Sequence, residues 1–153
     1  MKDTLRPGLT FEFKFLVPEN KTVPCLYPEA AEFQLMPKVL ATGYMLGLLE
    51  WACVQAINPH LDWPNEQSVG THVNFTHSAA TPPGFTVTVR LKLEKVDGRK
   101  LSFSLVAHDG LDEISQGTHE RVVIDAARFN SKLAEKVGRA THSIDTYRDA
   151  DRM

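Results

Sequence analysis

Glu50 is the only carboxylate between Val39 and Ile57, and no Lys, Arg or His accompanies it there. A carboxylate in so apolar a stretch must be paired, hydrogen-bonded or raised in pKa, and such groups concentrate at functional sites. The plainer alternative is a narrow solvated stripe shared with Gln55 and Asn58. His77 is the second candidate. Val73, Phe75 and His77 share one face of a strand, and His72, Asn74 and Thr76 the other. His77 is therefore expected to point inward, as a satisfied core histidine or as a proton-transfer group. The turn Ser78-Ala79-Ala80-Thr81-Pro82-Pro83-Gly84 follows at once and sets His77 at a rim. Thr42 is the third candidate; it lies near the start of the helix that carries Glu50, where a threonine usually reads as a cap or a bystander.

Thr42 and Glu50 are eight residues apart, which on a regular helix is a rise of roughly 12 Å with an angular offset of about 80°. Their side chains cannot touch within one regular helix. Either Thr42 belongs to a bent first turn, or the two groups meet across a two-fold dimer. Gly70 either starts a strand or lets a ligand reach its backbone N–H. Arg121, in Thr118-His119-Glu120-Arg121-Val122-Val123, stands mid-strand and needs a partner, whether for structure or for function.

The elements that position these residues follow from periodicity. Phe11, Phe13 and Phe15 alternate with Glu12 and Lys14, the signature of a half-buried strand. Residues 18–37 hold four prolines and sustain no period, so they read as a lid or loop with one short helical turn. Pro37 is expected to open a helix running to Ile57, apolar on nearly every side and so enclosed by protein. Gly43 and Gly47 share one face of it, where another backbone can come close. Four strands follow: Val69 to Ser78, Phe85 to Glu94, a third resuming at Leu101, and Glu113 to Asp125. Asp97-Gly98 suits a tight hairpin turn, and Asp109-Gly110 sits in the next turn. The tail from about Lys132 to Met153 reads as one helical turn and a frayed end. A strand, a long apolar helix and four antiparallel strands make an α+β hotdog fold, the sheet wrapping the helix in a single domain over residues 1–153.

Bulk properties narrow the class. At 153 residues, 42% hydrophobic and 24% charged, the chain reads as one soluble globular domain. A net charge of −2 without a like-charge block argues against nucleic acid and anionic membrane surfaces. The apolar stretch Val39 to Ile57 is broken by Thr42, Gly43, Gly47, Glu50 and Gln55, which disfavours a membrane span. No secretory signal opens the chain, and Cys25 and Cys53 form no metal or disulfide motif, so reduced thiols and a cytoplasmic location are expected.

Several short segments carry a resemblance by their order and spacing: Lys21-Thr22-Val23 with Leu26-Tyr27-Pro28-Glu29, Ala41-Thr42-Gly43 through Glu50-Trp51-Ala52-Cys53, and Val69-Gly70-Thr71 leading to Thr76-His77-Ser78. Ala107-His108-Asp109-Gly110 and Gly117-Thr118-His119-Glu120-Arg121 complete the set. Together, from about Phe11 to Lys132, they resemble the fluoroacetyl-CoA thioesterase family. The resemblance implies a homodimer, or a tetramer, hydrolysing a short acyl-CoA without metal or redox cofactor. It places Thr42, Glu50 and His77 in the catalytic set, with Gly70 lending its N–H to the thioester oxygen and Arg121 near the acyl end. Where the family closes its acyl pocket with an aromatic pair, this chain has Phe33 and Met36, which leaves fluorine selectivity open. Two other readings share the fold: an enoyl-CoA hydratase or dehydratase, and a non-catalytic acyl-CoA-binding module.

Overall fold

A computed structural model describes residues 1–150, with side chains through Ala140. Its frame is one antiparallel sheet of β1 (Thr10–Leu16), β2 (Glu66–Phe75), β3 (Thr86–Asp97), β4 (Lys100–His108) and β5 (Glu113–Asp125). The strands lie in the order β1-β3-β4-β5-β2, so β1 and β2 form the two edges. Helix α1 (Ala31–Gln34) lies within the proline-rich segment 18–37, α2 (Thr42–Ile57) crosses the sheet, and α3 (Ala126–Ala150) follows β5. This is the expected hotdog arrangement. Among the described residues no helix is long and apolar enough to cross a membrane.

Strand alternation does what the sequence pattern requires. Val87, Val89, Leu91 and Leu93 of β3 and Leu101, Phe103, Leu105 and Ala107 of β4 turn to one face. There they join Met45, Leu48, Leu49, Ala52, Cys53, Ala56 and Ile57 of α2 in a single buried cluster. The β3–β4 loop is Gly98-Arg99, one residue later than expected, with Gly98 at φ +57° as the first position of a two-residue turn demands. β5 is the exception to apolar alternation: its inward residues include Ser115, His119 and Arg121, all buried.

Four expectations are corrected. Helix α2 starts at Thr42, not Pro37, because the backbone of residues 39–41 is claimed by tertiary partners. The N–H of Leu40 donates to Thr81 and that of Ala41 to Lys21, while the carbonyl of Val39 accepts from Val23. The apolar Val39 and Leu40 continue the helical pattern in sequence but serve as an extended strap. Second, α2 is not enclosed within one chain: Gly43, Gly47 and Gln55 are exposed, and Trp51 is half exposed. Third, β2 begins at Glu66 and ends at Phe75, since Glu66 already pairs with Asp125. Fourth, the tail is a continuous helix from Ala126 to Ala150. The carboxylate of Asp125 accepts the Arg128 N–H at 2.8 Å, which starts that helix as an N-cap does. The expected frayed end at residues 151–153 lies outside the described residues.

One latch holds the loop after β2 in place. Asp109 accepts N–H groups from Leu111 and Asp112 and the hydroxyl of Thr81 at 3.1 Å, and Thr81 is fully buried. Burial alone would raise the Asp109 pKa, but these donors outweigh it and hold the carboxyl below its usual range. Its stabilisation is therefore present above the unfolded value of about 3.9 and is lost as pH falls through the lower folded value. Asp109→Asn should cost about 1–2 kcal/mol in urea denaturation at pH 7, with the gap to the parent narrowing in acid. Equal stability at pH 7 would contradict this.

Candidate active site

The first half of the site lies where α2 begins. Ala41 occupies the N-cap position with no side-chain cap, so the Thr42 hydroxyl is not spent on the helix terminus. Instead Thr42 Oγ1 lies 2.8 Å from His77 Nδ1. His77 sits two residues beyond β2, between Thr76 and Ser78, whose N–H groups donate to Gln116 and Ile114 of the neighbouring strand. Those bonds fix the backbone on both sides of the histidine. Burial pushes the His77 pKa below the usual value, against an opposing effect of the Ala79 backbone. Its Nε2 is buried and makes no hydrogen bond of good geometry among the described residues. A threonine hydroxyl in hydrogen-bond reach of an imidazole nitrogen suits proton transfer.

The second half lies two turns along α2. Glu50 Oε1 meets Arg121 Nη1 at 3.2 Å, and no hydrogen bond among the described residues engages Oε2. Arg121 is 5% exposed and is further fixed through Nε to Ser68 Oγ at 2.9 Å and through Nη2 to the Ser68 carbonyl at 2.8 Å. A bulge at Thr71 makes this possible. It shifts the β2–β5 register between Gly70 and His72, so that Gly70 faces Arg121 while Val73 faces His119. Gly70 leaves room for the carboxylate: a Cβ there would lie 2.5 Å from Glu50 Oε1 and 3.1 Å from the His119 ring. Cys53 lies buried nearby on α2, its thiol pushed up to about 12 by burial, and is core rather than nucleophile.

The structure thus gathers Thr42 with His77 and Glu50 with Arg121 and Gly70, but no hydrogen bond joins the two groups. The first turn of α2 is regular enough for the Met45 N–H to bond Ala41, so a bent start does not bring Thr42 to Glu50. Phe33 is half-buried on α1, its ring 6.2 Å from that of Tyr27, and Met36 is 46% exposed just beyond. The segment 18–37 is pinned to α2 by the Tyr44 hydroxyl on the Cys25 carbonyl and by Leu26 against Gly43. An apolar cleft of about 290 Å³ beside Gly43, Gly47 and Trp51 touches neither half of the site. Sequence reasoning missed His119 and Ser68. The available signal was position: His119 is two residues before Arg121 and so must share its inward face.

Gly70→Ala should therefore displace the Glu50 carboxylate while leaving the sheet intact. The expected outcome is a loss of turnover of about tenfold or more with a near-parental melting temperature. A variant that unfolds would contradict this geometry, and one that keeps full turnover would remove the position of the Glu50 carboxylate from the reaction.

The family model described as fluoroacetyl-CoA-specific thioesterase matches residues 25–127. A curated fluoroacetyl-CoA thioesterase from Streptantibioticus cattleyicolor is 55% identical over 136 residues, covering 89% of this chain and 97% of that one. A solved structure of a fluoroacetyl-CoA thioesterase variant in complex with acetyl-CoA is 54% identical, with a TM-score of 0.83 over 86% of this chain and 98% of that one. A hot-dog-like protein from Thermanaerovibrio acidaminovorans, 20% identical with a TM-score of 0.71 over 85% of this chain and 91% of that one, shares the fold. With a matching family model over most of its length and a relative more than half identical, the chain belongs to the fluoroacetyl-CoA-specific thioesterase family.

Proposed function

We propose that this protein hydrolyses a short-chain acyl-CoA thioester to free acid and CoA, using Thr42, Glu50 and His77. The observation that carries the reading is the 2.8 Å contact between Thr42 Oγ1 and His77 Nδ1, a hydroxyl and a base in hydrogen-bond reach. A thioester is already electrophilic, so one activated oxygen and one proton donor suffice for its cleavage. His77 serves as base toward Thr42 or as acid toward the departing thiolate. Glu50, anchored through Oε1, keeps Oε2 for the acyl carbon or for an attacking water. The Gly70 N–H is the donor to the thioester oxygen, where charge develops during attack. Fluoroacetyl-CoA, named in the family description, is one acyl-CoA of suitable size.

In this reading a second copy of the chain brings the two halves of the site together. Thr42 and Glu50 are separated along α2 by roughly 12 Å, and an isologous dimer whose two α2 helices packed antiparallel would set the start of one against the middle of the other. Two uncovered surfaces favour this. Strand β2 is a sheet edge with Val73 46% exposed, and α2 leaves Gly43, Gly47 and Trp51 uncovered.

Thiol release from acetyl-, fluoroacetyl- and longer acyl-CoA tests the activity directly. Glu50→Gln and His77→Ala should each lower turnover by a factor of about 10² or more while the mass by light scattering stays that of a dimer. A monomeric active enzyme, or a variant with parental turnover, would remove the corresponding part of the reading. Met36→Phe should raise the ratio of fluoroacetyl- to acetyl-CoA turnover if the lid sets selectivity; an unchanged ratio places selectivity elsewhere. Binding of CoA without release from any thioester would favour a non-catalytic module.

A further inference from the structure

His119 is a fully buried histidine that the reaction as written above does not use. Its ring is spent on both sides. Nδ1 lies 2.7 Å from the His72 carbonyl, which can only accept, so Nδ1 carries the proton. In a neutral ring Nε2 then presents a lone pair, and it meets Arg121 Nη1 at 3.0 Å. That same Nη1 is the atom that reaches Glu50 Oε1 at 3.2 Å. Glu50 Oε1 stands 3.8 Å from His119 Nε2, too far for a hydrogen bond, so histidine acts on the carboxylate only through the guanidinium.

We propose that His119 is a positioning residue for the thioesterase reaction, its neutral ring aiming Arg121 Nη1 at Glu50 so that Oε1 is held and Oε2 stays available. The proposal rests on the hydrolytic reading of the site. Its physical basis is the unusual acceptor. A guanidinium has five donors and no acceptor, and on the inner face of β5 a neutral imidazole is one of few side chains that can receive one of them without adding charge. Protonation would set a second cation 3.0 Å from Arg121 and reverse the contact from attraction to repulsion. Burial, the adjoining Arg121 and His72 all favour the neutral form, while the His72 carbonyl and Glu50 oppose it, and the net pKa lies below the usual histidine value. A histidine kept only for packing would need one partner. This one bridges the backbone of an edge strand to the residue that holds the candidate carboxylate.

The test compares substitutions that keep or remove the acceptor. His119→Gln retains an oxygen near the Nε2 position and should keep kcat within about threefold of the parent, while His119→Asn, which retains only a donor near Nδ1, and His119→Leu should lose about ten- to a hundredfold in kcat with little change in KM. On an Arg121→Met background His119→Leu should add almost nothing, because the pathway from ring to carboxylate is already cut. Melting temperatures report folding for each variant. Equal losses for the three substitutions, or full additivity with Arg121→Met, would overturn the proposal. An arm independent of turnover is the imidazole ¹⁵N shift at pH 7, which should report a neutral ring protonated on Nδ1; a charged ring or the opposite tautomer would overturn it. Absence of thiol release from the parent would instead defeat the hydrolytic reading, and with it a role in that reaction, even where the shifts match.

Discussion

A guanidinium buried in the middle of a sheet is the constraint around which this molecule is arranged. An isolated charge in such a place is costly by several kcal/mol unless its donors are met. Arg121 is held at all three of its nitrogens: by the Ser68 hydroxyl and carbonyl across the strand pair, by the ring of His119 beside it, and by Glu50 from the helix above. Each partner imposes a demand of its own. Ser68 must stand on the inward face of β2, and the opposite position must be a glycine so that the Glu50 carboxylate can approach. The bulge at Thr71 then restores Val73 and Phe75 to that face further along. The edge strand, its register irregularity and the lone helical carboxylate are one arrangement.

The other half of the site depends on a different kind of control, the placement of a loop. His77 would be free to swing beyond the end of β2 were it not for the backbone bonds at Thr76 and Ser78 and for Thr81, whose hydroxyl is held by Asp109. The carbonyl of Thr81 receives the N–H of Leu40, two residues before the helix carrying Thr42. One buried threonine therefore ties the loop that carries the histidine to the strap that starts α2. Positions of two side chains that must meet within a hydrogen bond are set by the same contact, and this accounts for a polar latch in a buried place.

Much of this was legible in the sequence, and the failures have physical causes. Alternation in β3, β4 and β1 marks half-buried strands because each side chain faces one phase, and those elements stand where the pattern puts them. Glu50 and Arg121 were each conspicuous as charges in apolar surroundings, yet their pairing across 71 residues is a tertiary fact that no local pattern carries. The start of α2 is not legible in the sequence because Val39 and Leu40 suit a buried strap as well as a buried helix; backbone partners at Lys21 and Thr81 decide between them. The charged tail was read as mostly irregular because it lacks an apolar stripe wide enough to announce a packed helix. His119 was overlooked beside its more conspicuous neighbour. The roles of Thr42 and His77 came from resemblance, and geometry adds that they touch.

The central proposal is that Thr42 with His77 from one protomer and Glu50 with Arg121 from its partner make one reaction centre. Mixing Thr42→Ala with Glu50→Gln, each expected to be nearly inactive alone, tests it most directly. If subunits exchange freely, half the dimers are mixed and each carries one intact centre of two, so about a quarter of the parental thiol-release rate should return. A mixture that stays as inactive as its components, with exchange verified by native mass spectrometry, would show that both groups must come from the same chain and would contradict the account.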